Sequence, residues 1–263
     1  MTQHTPLGII SLVTKREPIL RAVHADGIRK RELVEQLRVS RSTVDRGIRE
    51  LENVGLLART SDGYRRTLFG ELLLSEYDRF ATQTQSLLAG QELLADLSPA
   101  HELDPVVFQD ATIITASKHN PHEPISAFCS LTGTARWTQT VFPSVFPQLL
   151  DQWVELCDQQ MIRADIVLSE PAVGTLVSSH TDSLETLLAE PRVRLHQIET
   201  EPACGLVVAE DDSSATGGLI VLDERGGPRA FIETDTDEAV SWLRDRITDQ
   251  LMQSTPLSEQ PLE

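Results

Sequence analysis

Lysine is nearly absent. Lys15, Lys30 and Lys118 are the only ones in 263 residues, and every other basic residue is an arginine. Cysteine is scarce as well. Cys129, Cys157 and Cys204 are odd in number, far apart and free of any CxxC pair, which argues against a disulfide framework or a structural zinc site and leaves buried thiols as the expectation. Long apolar runs are missing, with nothing near the ~18 consecutive residues of a membrane-spanning helix. The opening MTQHTPLGIISLVTKRE has neither the basic start nor the apolar core of a signal peptide, so a cytoplasmic protein is expected. GxGxxG, P-loop and GxSxG motifs are absent too, and no cofactor is expected.

Positive charge is short overall but unevenly so. The formal net charge is −17. Residues 1–80 nevertheless carry 14 Lys and Arg against 11 Asp and Glu, whereas residues 81–263 carry 9 against 29. Such asymmetry suggests a nucleic-acid module joined to an acidic partner domain. An acidic, lysine-poor chain also suggests a cell with high internal salt. The 40% apolar and 24% charged content fits a globular protein with a proper core.

Apolar spacing in 7–24 is helical, with Pro18 expected to break or restart a helix near 17–24 that buries Ile19, Leu20 and Val23. A second short helix is expected over 29–37 with Leu33, Val34 and Leu37 inside. VSRSTVDRGIRELENVGLL (39–57) then opens with Ser40 as N-cap and Val39 and Val44 as a hydrophobic staple. At about 100° per residue, Val44, Ile48 and Leu51 share one face, and Ser42, Arg46, Arg49 and Asn53 fall opposite. Those exposed groups suit base edges and phosphates. Arg41, Ser42 and Thr43, at the helix start, would sit deepest in a major groove or on its backbone. LLARTSDGYRRTLFG follows, and Asp62-Gly63 between two strand-like runs signals a hairpin whose Arg59, Tyr64, Arg65 and Arg66 are candidate DNA contacts. Three helices and a hairpin make a winged helix-turn-helix outline. A solvated amphipathic helix with a charged face is the plainer reading of the third helix alone. The 13 basic against 8 acidic residues in 15–66 of this acidic chain favour DNA.

Residues 71–97 form a long helical pattern in which Leu73, Tyr77, Phe80, Thr84, Leu87, Gln91 and Leu94 are spaced as a coiled-coil seam, interrupted only by Gly90. A linker follows at 98–105. Strands are expected at 111–116, 164–170, 193–198, 205–210, 218–223 and 229–234. Helices are expected at 145–161 (Leu149, Trp153, Leu156 and Met161 on one face), 184–190 and 237–251, the last capped by Asp235 or Thr236.

KRELVEQLRVSRSTVDRGIRELENVGLL with DGYRRTLFGE resembles the winged-helix transcription regulators of archaea, especially of halophiles. PACGLVVAEDDSSATGGLIVLDERGGPRAFIETDTDEAVSWLRDRI resembles the C-terminal effector domain of the archaeal filamentation and methanogenesis regulatory proteins. The resemblance implies a transcription factor, with Arg41, Ser42, Thr43, Arg46 and Arg49 in its recognition helix and Arg65 and Arg66 in its wing. One departure stands out. The turn usually reads Leu-Gly-Val-Ser, and here Arg38 replaces the glycine, at a cost on the order of 1 kcal/mol if the position is left-handed. Arg38 would then be free to touch a phosphate.

Chemistry in the second half is thin. His119 and His122 form an HxxH with no further ligand at metal spacing. Ser178, Ser179, His180 and Asp182 are hydrolase residue types too close in sequence to build a triad. Effector domains of the resembled family are distantly similar to phospholipase-D-like folds, but Lys118 has no His two positions earlier, as their His-x-Lys constellation needs. His119, Arg136, Trp137 and Trp153 are candidates to line a small-molecule pocket, with core roles the plainer reading of the tryptophans.

The expectation is an α+β protein: a winged helix-turn-helix over 1–70, a linker or dimerisation helix over 71–104, a mixed α/β effector domain over 105–251 and a disordered tail over 252–263. Its expected function is that of a dimeric, non-enzymatic transcription regulator of double-stranded DNA, possessing a small-molecule sensing or oligomerisation domain. The alternatives are a nucleic-acid-processing or antiviral enzyme that docks through its winged helix, and a winged helix used for protein contact.

Overall fold

Helix α1 (Pro6–Ala22) begins where Thr5 accepts the Gly8 N–H on its hydroxyl and Pro6 takes the first helical position, where no N–H is needed. The computed structural model describes residues 5–24, 26–95, 97, 103–159, 163–223 and 225–257. Contrary to the sequence expectation, α1 runs straight through Pro18. Val13 and Arg16 before the proline and Ile19, Leu20 and Ala22 after it are buried in one core, and that shared burial outweighs the ~3 kcal/mol a proline costs a helix interior.

Helix α2 (Lys30–Leu37) is held at its start by the Glu32 carboxylate, which accepts the Arg29 N–H at 3.0 Å, and it buries Leu33. It ends at Arg38, which is left-handed at φ 53° and ψ 36°. Helix α3 (Arg41–Asn53) follows, then strands β1 (Leu57–Thr60) and β2 (Gly63–Arg66), joined by a two-residue turn at Ser61-Asp62. Ile28 adds a bridge to Tyr64, with N–H···O bonds of 2.8 and 2.9 Å, which the sequence pattern did not reveal. That bridge explains Gly63. Its φ is +147°, and a Cβ there would run into the Ile28 carbonyl.

The long helical pattern is two helices. Helix α4 (Leu68–Ala89) stops at Gly90, and α5 (Gln91–Ala95) follows. Gly90 sits 3.0 Å, measured from an added Cβ, from the Phe108 ring, so this glycine marks a close approach rather than a tolerated helix interior. The expected seam is not continuous. Leu73 and Tyr77 pack on the core of the first unit, while Leu87 and Leu94 pack on a core of the second. Of the seven seam residues Phe80, Thr84 and Gln91 are exposed, and Leu68, Phe69, Leu72 and Leu88 are exposed on α4 outside it. The chain divides into two compact units, Met1–Thr84 and Gln85–Glu263.

The second unit is α+β. Its sheet contains β3 (Thr112–Thr115), β4 (Trp137–Phe142), β5 (Ala164–Ser169), β6 (Val193–Ile198), β7 (Gly205–Glu210), β8 (Ala215–Leu222), β9 (Pro228–Thr234) and β10 (Thr255–Pro256), in the order β10-β6-β5-β4-β7-β8-β9-β3. Strands β4, β5 and β6 are parallel, and all other pairings are antiparallel. Alternation along the strands splits the apolar residues between two cores. Phe142, Ile166, Leu168, Val207 and Phe231 join the core of α6 (Glu123–Thr134), α7 (Pro147–Asp158), α8 (Glu170–Ser179) and α9 (Thr181–Ala189). Val141, Val167, Val208, Leu219 and Ile232 join that of α10 (Asp237–Gln253) and a 3-10 turn at Pro105–Phe108.

Strand β4 and helices α6 and α8 were not anticipated. The expected disordered tail is corrected for residues 252–257: Pro256 pairs with His196, and the Leu257 N–H bonds the Leu195 carbonyl at 2.9 Å. Residues 258–263, most of the 98–105 linker and Met161 lie outside the described residues.

Candidate nucleic-acid interface

Ser40 caps α3 as expected, accepting the Thr43 N–H at 3.2 Å. Its Oγ also lies 2.9 Å from Ser42 Oγ and 2.8 Å from Thr43 Oγ1, so three hydroxyls cluster at the helix start. The expected staple is absent, because Val39 is 36% exposed while Val44 is fully buried. Val44, Gly47, Ile48 and Leu51 make the buried stripe. Gly47 has a packing reason: a Cβ there would collide with Ile19 Cδ1, so α1 and α3 approach closely at that position. Ser42, Arg46, Arg49 and Asn53 are exposed, as the helical arithmetic required, and Arg41 and Thr43 are exposed at the helix start.

Two of the three acidic residues of α3, Asp45 and Glu50, are paired with basic side chains, and Glu52 is exposed. Glu50 accepts from Arg16 Nε at 2.7 Å through one oxygen and from Arg46 Nε at 3.0 Å through the other, with Lys15 Nζ 3.9 Å away. The Arg16 bond first, then the Arg46 bond and nearby positive charge, hold the Glu50 carboxyl down to about 2. Asp45 pairs with Lys30 Nζ at 2.6 Å, and that ammonium also lies 5.4 Å from the Tyr64 ring centroid. The Lys30 bond lowers the Asp45 pKa, with Arg41 and Arg49 adding to the effect, and the same pair raises Lys30. Arg41 and Arg49 form no ion pair among the described residues.

The wing needs two corrections. Tyr64 is a core residue at 8% exposure, facing Lys30 and the buried cluster rather than solvent. Arg66 is half-buried, and its Nε bonds Glu71 at 2.9 Å. Side chains alternate along β2, so Tyr64 and Arg66 point inward while Arg65 is exposed. Arg59 is exposed as well. Arg59 and Arg65 are therefore the wing arginines that can reach a ligand.

The four effector-pocket candidates do not come together. His119 is exposed on the loop after β3. Arg136 binds Asp212 at 2.6 Å, just before half-buried Trp137 opens β4. Trp153 is buried on α7 against Phe142, the last residue of that strand, at 6.1 Å between rings. No group of three or more His, Cys, Asp or Glu side chains among the described residues is arranged to hold a metal ion. Ser178 donates to the Thr175 carbonyl at the end of α8. The three thiols are buried, and burial pushes Cys129 and Cys157 up to about 11 and Cys204 to about 12. No helix among the described residues is long and apolar enough to cross a membrane.

A family model described as the middle domain of the methanogenesis regulatory protein FilR1 matches residues 121–253, and one described as the HVO_A0261 N-terminal domain matches residues 7–87. No curated protein sequence matches. Among solved structures, TrmBL2, an archaeal chromatin protein described as showing a novel mode of DNA binding, is 12% identical at a TM-score of 0.43, with 94% of this chain and 98% of that one covered. Nuc of Salmonella typhimurium, a phospholipase D family member, is 11% identical at a TM-score of 0.41, over 57% of this chain and 99% of its own. NucT from Helicobacter pylori is 8% identical at 0.43, over 56% and 98%.

Proposed function

We propose that this chain, which belongs to the family defined by the middle domain of the methanogenesis regulatory protein FilR1, is a sequence-specific transcription regulator that reads double-stranded DNA with α3 and the β1–β2 wing. The observation that carries this reading is the exposed face of α3. Ser42, Arg46, Arg49 and Asn53 point away from the buried stripe, Arg41 and Thr43 are exposed at the helix start, and two of the helix's three carboxylates, Glu50 and Asp45, are paired with Arg16 and Lys30. Arginine can donate two bonds to guanine and asparagine can pair with adenine. Arg59 and Arg65 on the wing suit phosphates or an adjacent minor groove.

The acidic composition sets how that face works. In a salty, halophile-type cytoplasm the screening length falls to about 3 Å at 1 M, and general attraction to phosphate weakens. Recognition then rests on short-range bonds from the α3 face rather than on bulk basicity. The regulator acts as a homodimer, whose two readers meet two half-sites, and exposed Phe69, Leu72 and Phe80 on α4 supply apolar surface for pairing. The second unit senses a signal or sets the spacing of the readers, and performs no catalysis.

Mapping of bound DNA across the genome tests the reading: enriched sites sharing a short palindrome are expected, and an absence of enriched sites defeats it. Incubation of plasmid DNA with divalent metal separates it from a docking enzyme, because a regulator leaves the DNA uncut.

A further inference from the structure

Arg46 and Glu50 stand one turn apart on α3, and Arg46 Nε donates to Glu50 Oε1 at 3.0 Å. Such a pair on an exposed helix is ordinary, and by itself it holds neither side chain firmly. Here the carboxylate is fixed from elsewhere. Its other oxygen accepts from Arg16 Nε at 2.7 Å, and Arg16 comes from α1 with its side chain only 10% exposed. Arg16 passes beside Gly47, where an added Cβ would stand 3.4 Å from its Cδ. Lys15 Nζ, 3.9 Å from the same carboxylate oxygen, adds a second positive charge. The packing of α1 on α3 therefore sets where Glu50 lies, and the exposed arginine follows.

The bond at Nε decides what Arg46 has left to offer. A guanidinium is planar, so a bond at Nε restricts the directions open to its two Nη groups. Neither Nη of Arg46 is bonded among the described residues. Together they form the two-pronged donor that matches O6 and N7 of guanine. The side chain is 72% exposed, on the face that also carries Ser42, Arg49 and Asn53. No carboxylate bonds Arg41 or Arg49 among the described residues. Those two keep their rotamer freedom until they bind, and they suit a phosphate as well as a base. Arg46 differs on both counts. The Glu50 charge beside it makes it a poorer partner for a phosphate. Being held before contact, it loses less freedom on binding and cannot follow a displaced acceptor, which is the condition for telling one base pair from another.

We infer that Glu50, anchored by Arg16, is a positioning residue for DNA recognition: it holds Arg46 so that both Nη groups donate to O6 and N7 of one guanine, and the double-stranded site therefore carries a G·C pair that Arg46 reads. The inference deepens the proposed reading of DNA by α3 and rests on it.

The test uses the full chain and the duplex recovered by selecting bound sequences from a random pool. Fluorescence anisotropy then gives affinities for that duplex and for its single-pair replacements, each over a salt titration. Native protein is expected to prefer guanine to adenine at one position by about tenfold or more. Arg46→Lys keeps the charge and removes the fork, and it should bring that preference within about twofold while leaving the salt slope unchanged. Glu50→Gln keeps the shape of the side chain and cannot accept from both arginines. It should cut the same preference by about threefold or more with Arg46 intact, and leave preferences at other positions as they are. Arg16→Met removes the anchor and keeps a buried stem, should act in the same way, and serves if Glu50→Gln fails to fold. A merely structural role for Glu50 would instead weaken binding to every duplex alike. Failure to select any sequence defeats the DNA reading and the inference with it. A selected sequence with no guanine that depends on Arg46 overturns the inference and leaves the DNA reading in place. So does a guanine preference that survives unchanged in both Glu50→Gln and Arg16→Met, or an equal loss at every position in those variants.

Discussion

Arg16 Nε donates to Glu50 Oε2 at 2.7 Å, joining α1 to the flank of α3, and the other oxygen of the same carboxylate holds Arg46 at 3.0 Å. Glu50 thus serves the fold with one oxygen and an exposed arginine of the candidate DNA face with the other. Its pKa in the folded protein is held near 2, against an ordinary value of 4.5. A carboxylate with a depressed pKa contributes stability that is fully present above its unfolded pKa and is lost as pH falls through the folded one. The first unit should therefore lose stability between about pH 4.5 and pH 2. Glu50→Gln should flatten that part of the profile while lowering stability at neutral pH. Urea unfolding of the full chain across pH, followed by hydrogen exchange at α1 and α3, checks this, and an unchanged acid limb in the variant contradicts it.

Arg38 ends α2 in the left-handed region at φ 53°, in the position where the resembled regulators carry glycine. A non-glycine residue there carries strain on the order of 1 kcal/mol. Arg38→Gly should raise stability by about that amount. If the arginine touches a phosphate, the same variant should weaken DNA binding uniformly across sequences and reduce the salt slope of binding by about 1. A variant that is more stable and binds as tightly as the parent over a salt titration rules the phosphate contact out.

Tyr64 and Arg65 are neighbours with opposite duties. Tyr64→Ala removes a buried ring from the core and from beneath Lys30, and should cost about 3 kcal/mol or more. Arg65→Ala, at an exposed position, should leave stability within about 0.5 kcal/mol and reduce DNA affinity. Denaturant titration and fluorescence anisotropy on a bound duplex separate the two. Equal loss of stability in both variants contradicts the assignment of Arg65 to the surface.

What could be read from the chain beforehand was local. Ser40 as N-cap, the inward stripe of α3 and a hairpin at Ser61-Asp62-Gly63 follow from spacing within a few residues, and the structure has them, with the turn at Ser61-Asp62 and Gly63 already paired in β2. What failed was decided by distant partners. Pro18 stays inside α1 because both of its sides bury in one core. Tyr64 and Arg66 left the candidate interface because Ile28, Lys30 and Glu71 claim that face of the hairpin. The heptad spacing of 73–94 is present, but Leu73 and Tyr77 pack on one core, Leu87 and Leu94 on another, and Phe80, Thr84 and Gln91 are exposed. Strand β4, in which Thr138, Gln139 and Thr140 are buried beside β5 and β7, has too many polar residues to look like a central strand in a sequence. Arg46 could be named from its place on α3. The hold of Arg16 on its partner Glu50 could not, because a bond between two helices is a property of the packed neighbourhood.

The apolar residues exposed on α4 give the last prediction. Phe69, Leu72 and Phe80 are 50%, 60% and 63% exposed; Phe69 and Leu72 lie beside the stripe of Leu73, Leu74 and Tyr77 that packs on the first unit's core, and Phe80 continues that stripe one heptad beyond Leu73. Three large apolar side chains so placed on one helix are unusual for a surface with no partner. If α4 pairs with a second copy, Leu72→Glu together with Phe80→Glu puts like charges across a twofold contact and should shift the protein to monomer without lowering the stability of either unit. Operator affinity should then fall at least tenfold, since one reader alone contacts one half-site. Sedimentation in high salt, where general charge repulsion is screened, measures the first effect and a gel-shift titration the second. A native chain that sediments as a monomer at the concentrations where it binds DNA would defeat the dimer reading while leaving the α3 face untouched.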